Sequence, residues 1–160
     1  MSGLISPERG WTMSIQTAGV HHLGLSVTNL DRSKQFYQDL FGWKELGADP
    51  TMGYAFLTDG TTMITLWQQS QVAYDKAHAG LHHFALAVGS SDDLVRAEQV
   101  LRKKGVRIHY DRIVPAMEGA KEAELYFYDP DGIRVELFSA QGCEGKDAPV
   151  SHGPSCYLPD

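Results

Sequence analysis

His21-His22-Leu23-Gly24-Leu25-Ser26-Val27 returns 61 residues later as His82-His83-Phe84-Ala85-Leu86-Ala87-Val88. Self-similarity of this kind marks a duplicated structural unit. Within each copy large apolar and small residues alternate, the period of a strand that buries one face. His21, Leu23, Leu25 and Val27 then share one face and His22, Gly24 and Ser26 the other; in the second copy His83, Ala85 and Ala87 oppose His82, Phe84, Leu86 and Val88. The large apolar sets form core, which leaves His22 and His83 among small neighbours on the opposite face.

Outward from each copy the signals run in parallel. Thr28-Asn29-Leu30-Asp31 reads as a helix cap, followed by Phe36, Tyr37, Leu40 and Phe41 at helical spacing and closed by Gly42. Ser90-Ser91-Asp92-Asp93 precedes Leu94, Ala97 and Leu101, closed by Gly105. The period then drops to two, which predicts strands near 43–47, 53–58 and 62–68 in the first half and near 106–110, 123–128 and 133–139 in the second. Each half is β-α-β-β-β, an α+β arrangement. Their last hairpins align through Asp59-Gly60 and Asp129-Pro130-Asp131-Gly132, making Thr65 the counterpart of Glu136.

The chain has 160 residues, 42% of them hydrophobic and 21% charged, which suits one folded domain. Residues 1–17 read as an extension, with Met13 a candidate native start; 18–140 is the domain, its modules at about 18–70 and 80–140; 141–160, rich in Gly and Pro, reads as an irregular, mobile tail. With 14 Lys+Arg against 20 Asp+Glu, the net charge of −6 argues against a nucleic-acid partner. No apolar run approaches the ~20 residues of a membrane span, and the N-terminus lacks a secretory pattern, so a cytoplasmic protein with no membrane partner is expected. Cys143 and Cys156, the two cysteines, both fall in the tail and cannot staple the domain. Together with His152 they match no zinc spacing.

Glu136 opposes Val135 and Leu137 on the last strand and so joins His22 and His83 on the non-core face. Two imidazoles and a carboxylate on strands make a 2-His-1-carboxylate set with open coordination positions. Thr65, Trp67 and Gln69 share a face and could line the same space. Glu45, on an early strand, is a weaker candidate for proton transfer. His21 and His82 are expected to bond locally, and His78, His109 and His152 to face solvent.

The chain resembles the vicinal oxygen chelate superfamily of glyoxalases, extradiol dioxygenases, fosfomycin-resistance transferases, methylmalonyl-CoA epimerase and bleomycin-resistance proteins. The matching pieces are His22-Leu-Gly-Leu-Ser-Val, Asp31-Arg-Ser-Lys-Gln-Phe-Tyr-Gln-Asp-Leu-Phe-Gly, His83-Phe-Ala-Leu-Ala-Val and Tyr126-Phe-Tyr-Asp-Pro-Asp-Gly-Ile-Arg-Val-Glu136. The resemblance implies two βαβββ modules curling into a cup-shaped, barrel-like mixed sheet. It implies a divalent metal held by His22, His83 and Glu136, with Fe(II) or Mn(II) ahead of Zn, Ni or Co, and a small substrate bearing adjacent oxygens. The position that holds a fourth ligand in glyoxalase I and the epimerase is Thr65 here, which weakens both activities. Gly24 replaces the threonine of the fosfomycin enzymes. The end of the extradiol signature is satisfied, including Tyr126, which in that family hydrogen-bonds the substrate oxygen; the upstream signature histidine is missing, and His109 is the candidate to replace it. The expectation is therefore a metal-dependent, dioxygenase-like enzyme. A glyoxalase-like lyase or isomerase and a non-catalytic drug- or metabolite-binding protein are the alternatives. A half-cup sheet also leaves an edge or face to cover, so a homodimer is expected.

Overall fold

The computed structural model describes residues 15 and 17–159. The expectations for residues 1–14, Met13 among them, lie outside the described residues. Each half is β-α-β-β-β, as the repeat predicts. The first comprises β1 (Leu23–Ser26), α1 (Leu30–Phe41), β2 (Lys44–Asp49), β3 (Tyr54–Thr58) and β4 (Met63–Trp67). The second comprises β5 (Phe84–Ala87), α2 (Ser91–Lys103), β6 (Val114–Pro115), β7 (Ala123–Tyr128) and β8 (Arg134–Ser139). The sheets have the matching orders β1-β4-β3-β2 and β5-β8-β7-β6.

The helices begin and end where their chemistry dictates. Asn29 caps α1 by accepting the Arg32 amide, Ser90 caps α2 by accepting the Asp93 amide, and Gly42 stops α1 in the left-handed conformation at φ 67°. Leu25 and Val27 of the first copy are buried, as are Leu57, Ile64 and Leu66; Phe84, Leu125, Phe127, Val135 and Leu137 belong to the same cluster. One core thus joins the apolar faces of both sheets. The opposite faces point away from it.

The segment predicted as a strand at 106–110 is the main departure. It contributes a single bridge, Ile108 to Phe127, flanked by bonds from the His109 amide to Tyr126 O and from the Tyr128 amide to Arg107 O, before β6 pairs Val114 with Glu124. Between those two pairings the register slips by three residues. Asp111 sits there at φ 53°, and Pro115 has no N–H to extend the ladder.

A polar seam locks α1 to the β7–β8 turn. Tyr37 donates to Asp129 Oδ2 at 3.0 Å, while Asp129 Oδ1 accepts the amides of Asp131 and Ile133. Asp131 accepts the Thr28 amide and hydroxyl and pairs with Arg32 at 2.5 Å. Burial, helped by the nearby Asp131 charge, pushes the Asp129 carboxyl up to about 6.

The backbone of 141–159 is irregular except for one 3-10 turn at Ser155–Tyr157, yet the segment is packed against the domain. Cys143 is buried in the main core, and Leu158 packs on Val114 and Tyr126. Ser155 donates its amide to Ala116 O and its hydroxyl to Pro115 O, and Tyr110 donates to Ser155 O. No helix among the described residues is long and apolar enough to cross a membrane.

Candidate functional site

The parallel pairings test the repeat at the level of single residues. β1 on β4 sets Gly24 beside Thr65, and β5 on β8 sets Ala85 beside Glu136. Each partner lies two residues past a candidate histidine, so Thr65 and Glu136 are structural counterparts. The histidines themselves sit one residue before their strands.

On the second module the candidates meet. His83 Nε2 lies 3.1 Å from Glu136 Oε2, with side chains 22% and 6% exposed. His83 Nδ1 is 2.7 Å from His82 Nδ1, and His82 Nε2 lies 3.5 Å from Arg134. The neighbouring imidazole therefore holds one ring nitrogen of His83 while the other faces the carboxylate, the arrangement that fixes a ligand ring. Burial, His83 and Arg134 all push the His82 imidazole down, favouring its neutral form.

Tyr126, opposite Glu136 on β7, is 1% exposed and packs edge-on to His83 at 6.2 Å between ring centroids. Its hydroxyl donates to Glu124 Oε2 at 2.5 Å. Burial pushes both the Tyr126 phenol and the Glu124 carboxyl up. Strand alternation from Tyr126 alone would have found Glu124, two residues upstream on the same face. His109 pairs opposite Tyr126 and lies on this face, its Nδ1 2.5 Å from Tyr128 Oη. The packed tail brings Cys156 alongside; burial and the Glu124 and Glu136 carboxylates push its thiol up.

The first module offers a different surface. His22 is exposed, its Nδ1 2.8 Å from His21 Nδ1, repeating the pairing of His82 and His83. Thr65 is 5% exposed and its Oγ1 accepts the Trp67 indole N–H at 3.0 Å. A Cβ on Gly24 would stand 3.3 Å from that oxygen, so only glycine leaves this hydroxyl unpressed. Tyr54 and Phe56 stack at 5.0 Å, and Trp67 leans on both. Gln69 is exposed past the end of β4. Glu45 pairs with Lys34 of α1 at 3.1 Å, so its carboxylate turns toward the helix. His78 is exposed beside Asp75, and His152 is exposed.

Within one chain, then, His83 and Glu136 come together and His22 does not join them: among the described residues no three His, Cys, Asp or Glu side chains are grouped to hold an ion. The imidazole and carboxylate pair suits a divalent ion, and one more donor completes the facial set.

The sequence profile of the Glyoxalase/Bleomycin resistance protein/Dioxygenase superfamily matches residues 19–137. The chain is similar to a trivalent organoarsenical cleaving enzyme of Bacillus sp. strain MD1, 28% identical over 137 residues that cover 86% of this chain and 81% of that protein. It is similar to the metallothiol transferase FosB of Staphylococcus epidermidis, 29% identical over 123 residues, 77% of this chain and 82% of the relative. A solved glyoxylase/bleomycin resistance protein/dioxygenase domain from Frankia sp. EAN1pec superposes with a TM-score of 0.62 at 29% identity, over 77% of this chain and 92% of that one. Repeat, strand order, paired registers and profile agree: the chain belongs to the glyoxalase/bleomycin resistance protein/dioxygenase superfamily, the vicinal oxygen chelate proteins.

Proposed function

We propose that the chain is a metal-dependent oxygenase-like enzyme whose site forms between two copies, with His83 and Glu136 of one and His22 of the other as ligands. The observation that carries this reading is the 3.1 Å His83–Glu136 pair, which His22 of the same chain does not join among the described residues. Both sheets also end on an edge strand paired on one side, β1 and β5, whose Gly24, Ser26, Ala85 and Ala87 are exposed. Small exposed residues on open edges suit closure by a second copy.

A bound Fe(II) or Mn(II) would supply Lewis acidity and a route for electrons to O₂, with positions left open for a chelating substrate. The chain's own residues do the rest. Tyr126 presents a phenol that stays protonated and donates to a substrate oxygen once it swings from Glu124. Glu124, its carboxyl pushed up by burial, holds the Tyr126 hydroxyl in place and is the acid–base group beside it. His109, held by Tyr128, is the second proton-transfer group on this face. Thr65 cannot act as a base, and Trp67 and Thr65 line the wall supplied by the other module.

Oxygen uptake by Fe(II)- or Mn(II)-loaded protein tests the reading, with a catechol and a trivalent organoarsenical as probes. Metal-dependent uptake with either supports it. Stoichiometric retention of the probe without uptake points to a binding protein, and rapid isomerisation of the methylglyoxal–glutathione hemithioacetal points to a glyoxalase.

A further inference from the structure

Arg134 is an arginine that should not be buried alone. It is 6% exposed on β8, two residues before Glu136 and on the same face. Charged side chains are seldom buried this far unless paired with an opposite charge. Among the described residues Arg134 has no ion pair with a carboxylate; its recorded side-chain partner is His82 Nε2, at 3.5 Å. Tyr128 stands opposite it on β7, and the Arg107 guanidinium lies over the Tyr128 ring, 4.1 Å from its centroid.

These groups line a cavity of about 220 Å³, together with Tyr74, Lys76 and Gly132 and with no carboxylate among the lining residues. The acids nearest in sequence are engaged elsewhere: Asp129 with Tyr37, Asp131 with Thr28 and Arg32, Asp75 with His78, and Glu136 with His83. In a chain of net charge −6 this is a local concentration of positive charge. Burial and then the Arg134, Arg107 and Lys76 charges push the His109 imidazole down.

We propose that Arg134 and Arg107, both set against Tyr128, form an oxyanion subsite beside Glu136, which takes a carboxylate, phosphate or phosphonate group carried by the ligand of the cup. A planar guanidinium binds such oxyanions through paired N–H donors, and a buried one does so with little competition from water. Two residues of strand separate Arg134 from Glu136, about 6.6 Å. The ligand is therefore an acid whose anionic group is separate from its chelating oxygens. The subsite rests on reading this face as a ligand site, but its anion affinity belongs to residues that are not metal ligands.

Calorimetric titration of chelator-treated, metal-free full-length protein with inorganic phosphate, in zwitterionic buffer at low ionic strength, tests this. Saturable binding of one phosphate per chain is expected, weakened about tenfold or more in Arg134→Gln and in Arg107→Ala. Arg107 is exposed, so its variant stays informative if Arg134→Gln fails to fold. Lys34→Ala, a cation on α1, should bind phosphate as wild type does. Absence of saturable phosphate binding, or equal binding by wild type and both arginine variants, overturns the subsite. A separate metal titration tells the two failures apart: metal binding without phosphate binding removes the subsite alone, and phosphate binding without metal binding removes the oxygenase reading alone.

Discussion

The two modules share strand order and parallel register, yet the faces that this register exposes carry different chemistry. At the matched position beside the strand that follows each histidine, one module holds Glu136 and the other Thr65, both 5% exposed. Glu136 pairs with His83 and stands opposite Tyr126, whose hydroxyl bonds Glu124. Thr65 sits among Trp67, Phe56 and Tyr54, its hydroxyl engaged by an indole. Duplication kept the scaffold, and the second module became the charged half while the first kept one imidazole and an aromatic wall. A cup made from one face of each kind would have a charged side and an apolar side.

The contrast is broken most strongly at the charged half. His83→Ala and Glu136→Ala should each lower divalent-metal affinity by about two orders of magnitude or more, since each removes a donor from a minimal set. Metal-binding calorimetry measures this, and wild-type affinity in either variant would move the site elsewhere.

The seam between the halves comes next. Burial raises the Asp129 carboxyl to about 6, so the folded state holds this proton more tightly than the unfolded chain does. Its stabilising contribution is full at low pH and is lost as pH rises from about 4 through 6, by at most about 3 kcal/mol. Urea unfolding of wild type against Asp129→Asn across that range should show the difference between them shift in this direction; a pH-independent difference would contradict it.

Tyr126→Phe should cost about 1–3 kcal/mol in the same assay, because it strips the hydroxyl donor from the buried Glu124 carboxyl. On the aromatic half Trp67→Phe should cost only about 1 kcal/mol beyond repacking, the value of one neutral hydrogen bond to Thr65. A loss at Trp67 equal to that at Tyr126 would mean that the two faces are not energetically distinct.

Much of this contrast is legible in the sequence. The repeat, the caps at Asn29 and Ser90 and the period-two runs encode local structure, and local structure sufficed to pair Thr65 with Glu136. What depends on distant contacts was not legible. Asp129 and Asp131 read as turn residues, and only the packing of α1 against that turn makes them a seam. The strand expected at 106–110 stops after one bridge at Ile108, where Asp111 turns the backbone and the register with β7 slips. The tail's Gly and Pro content hides Cys143 and Leu158, which bury themselves individually. Arg134 is on the site face by alternation, but its company, Tyr128 and Arg107, comes from β7 and from the segment between α2 and β6.

Mixing two broken chains tests whether the metal site is shared between copies. Refolding His22→Ala with His83→Ala in equal amounts gives heterodimers in which one site lacks both histidines and the other is intact. With random pairing, metal occupancy should recover to about a quarter of the wild-type value, at a sedimentation mass of about twice 17.7 kDa, while each variant alone stays empty. A mixture as empty as its parents, from chains that do pair, would contradict the shared site.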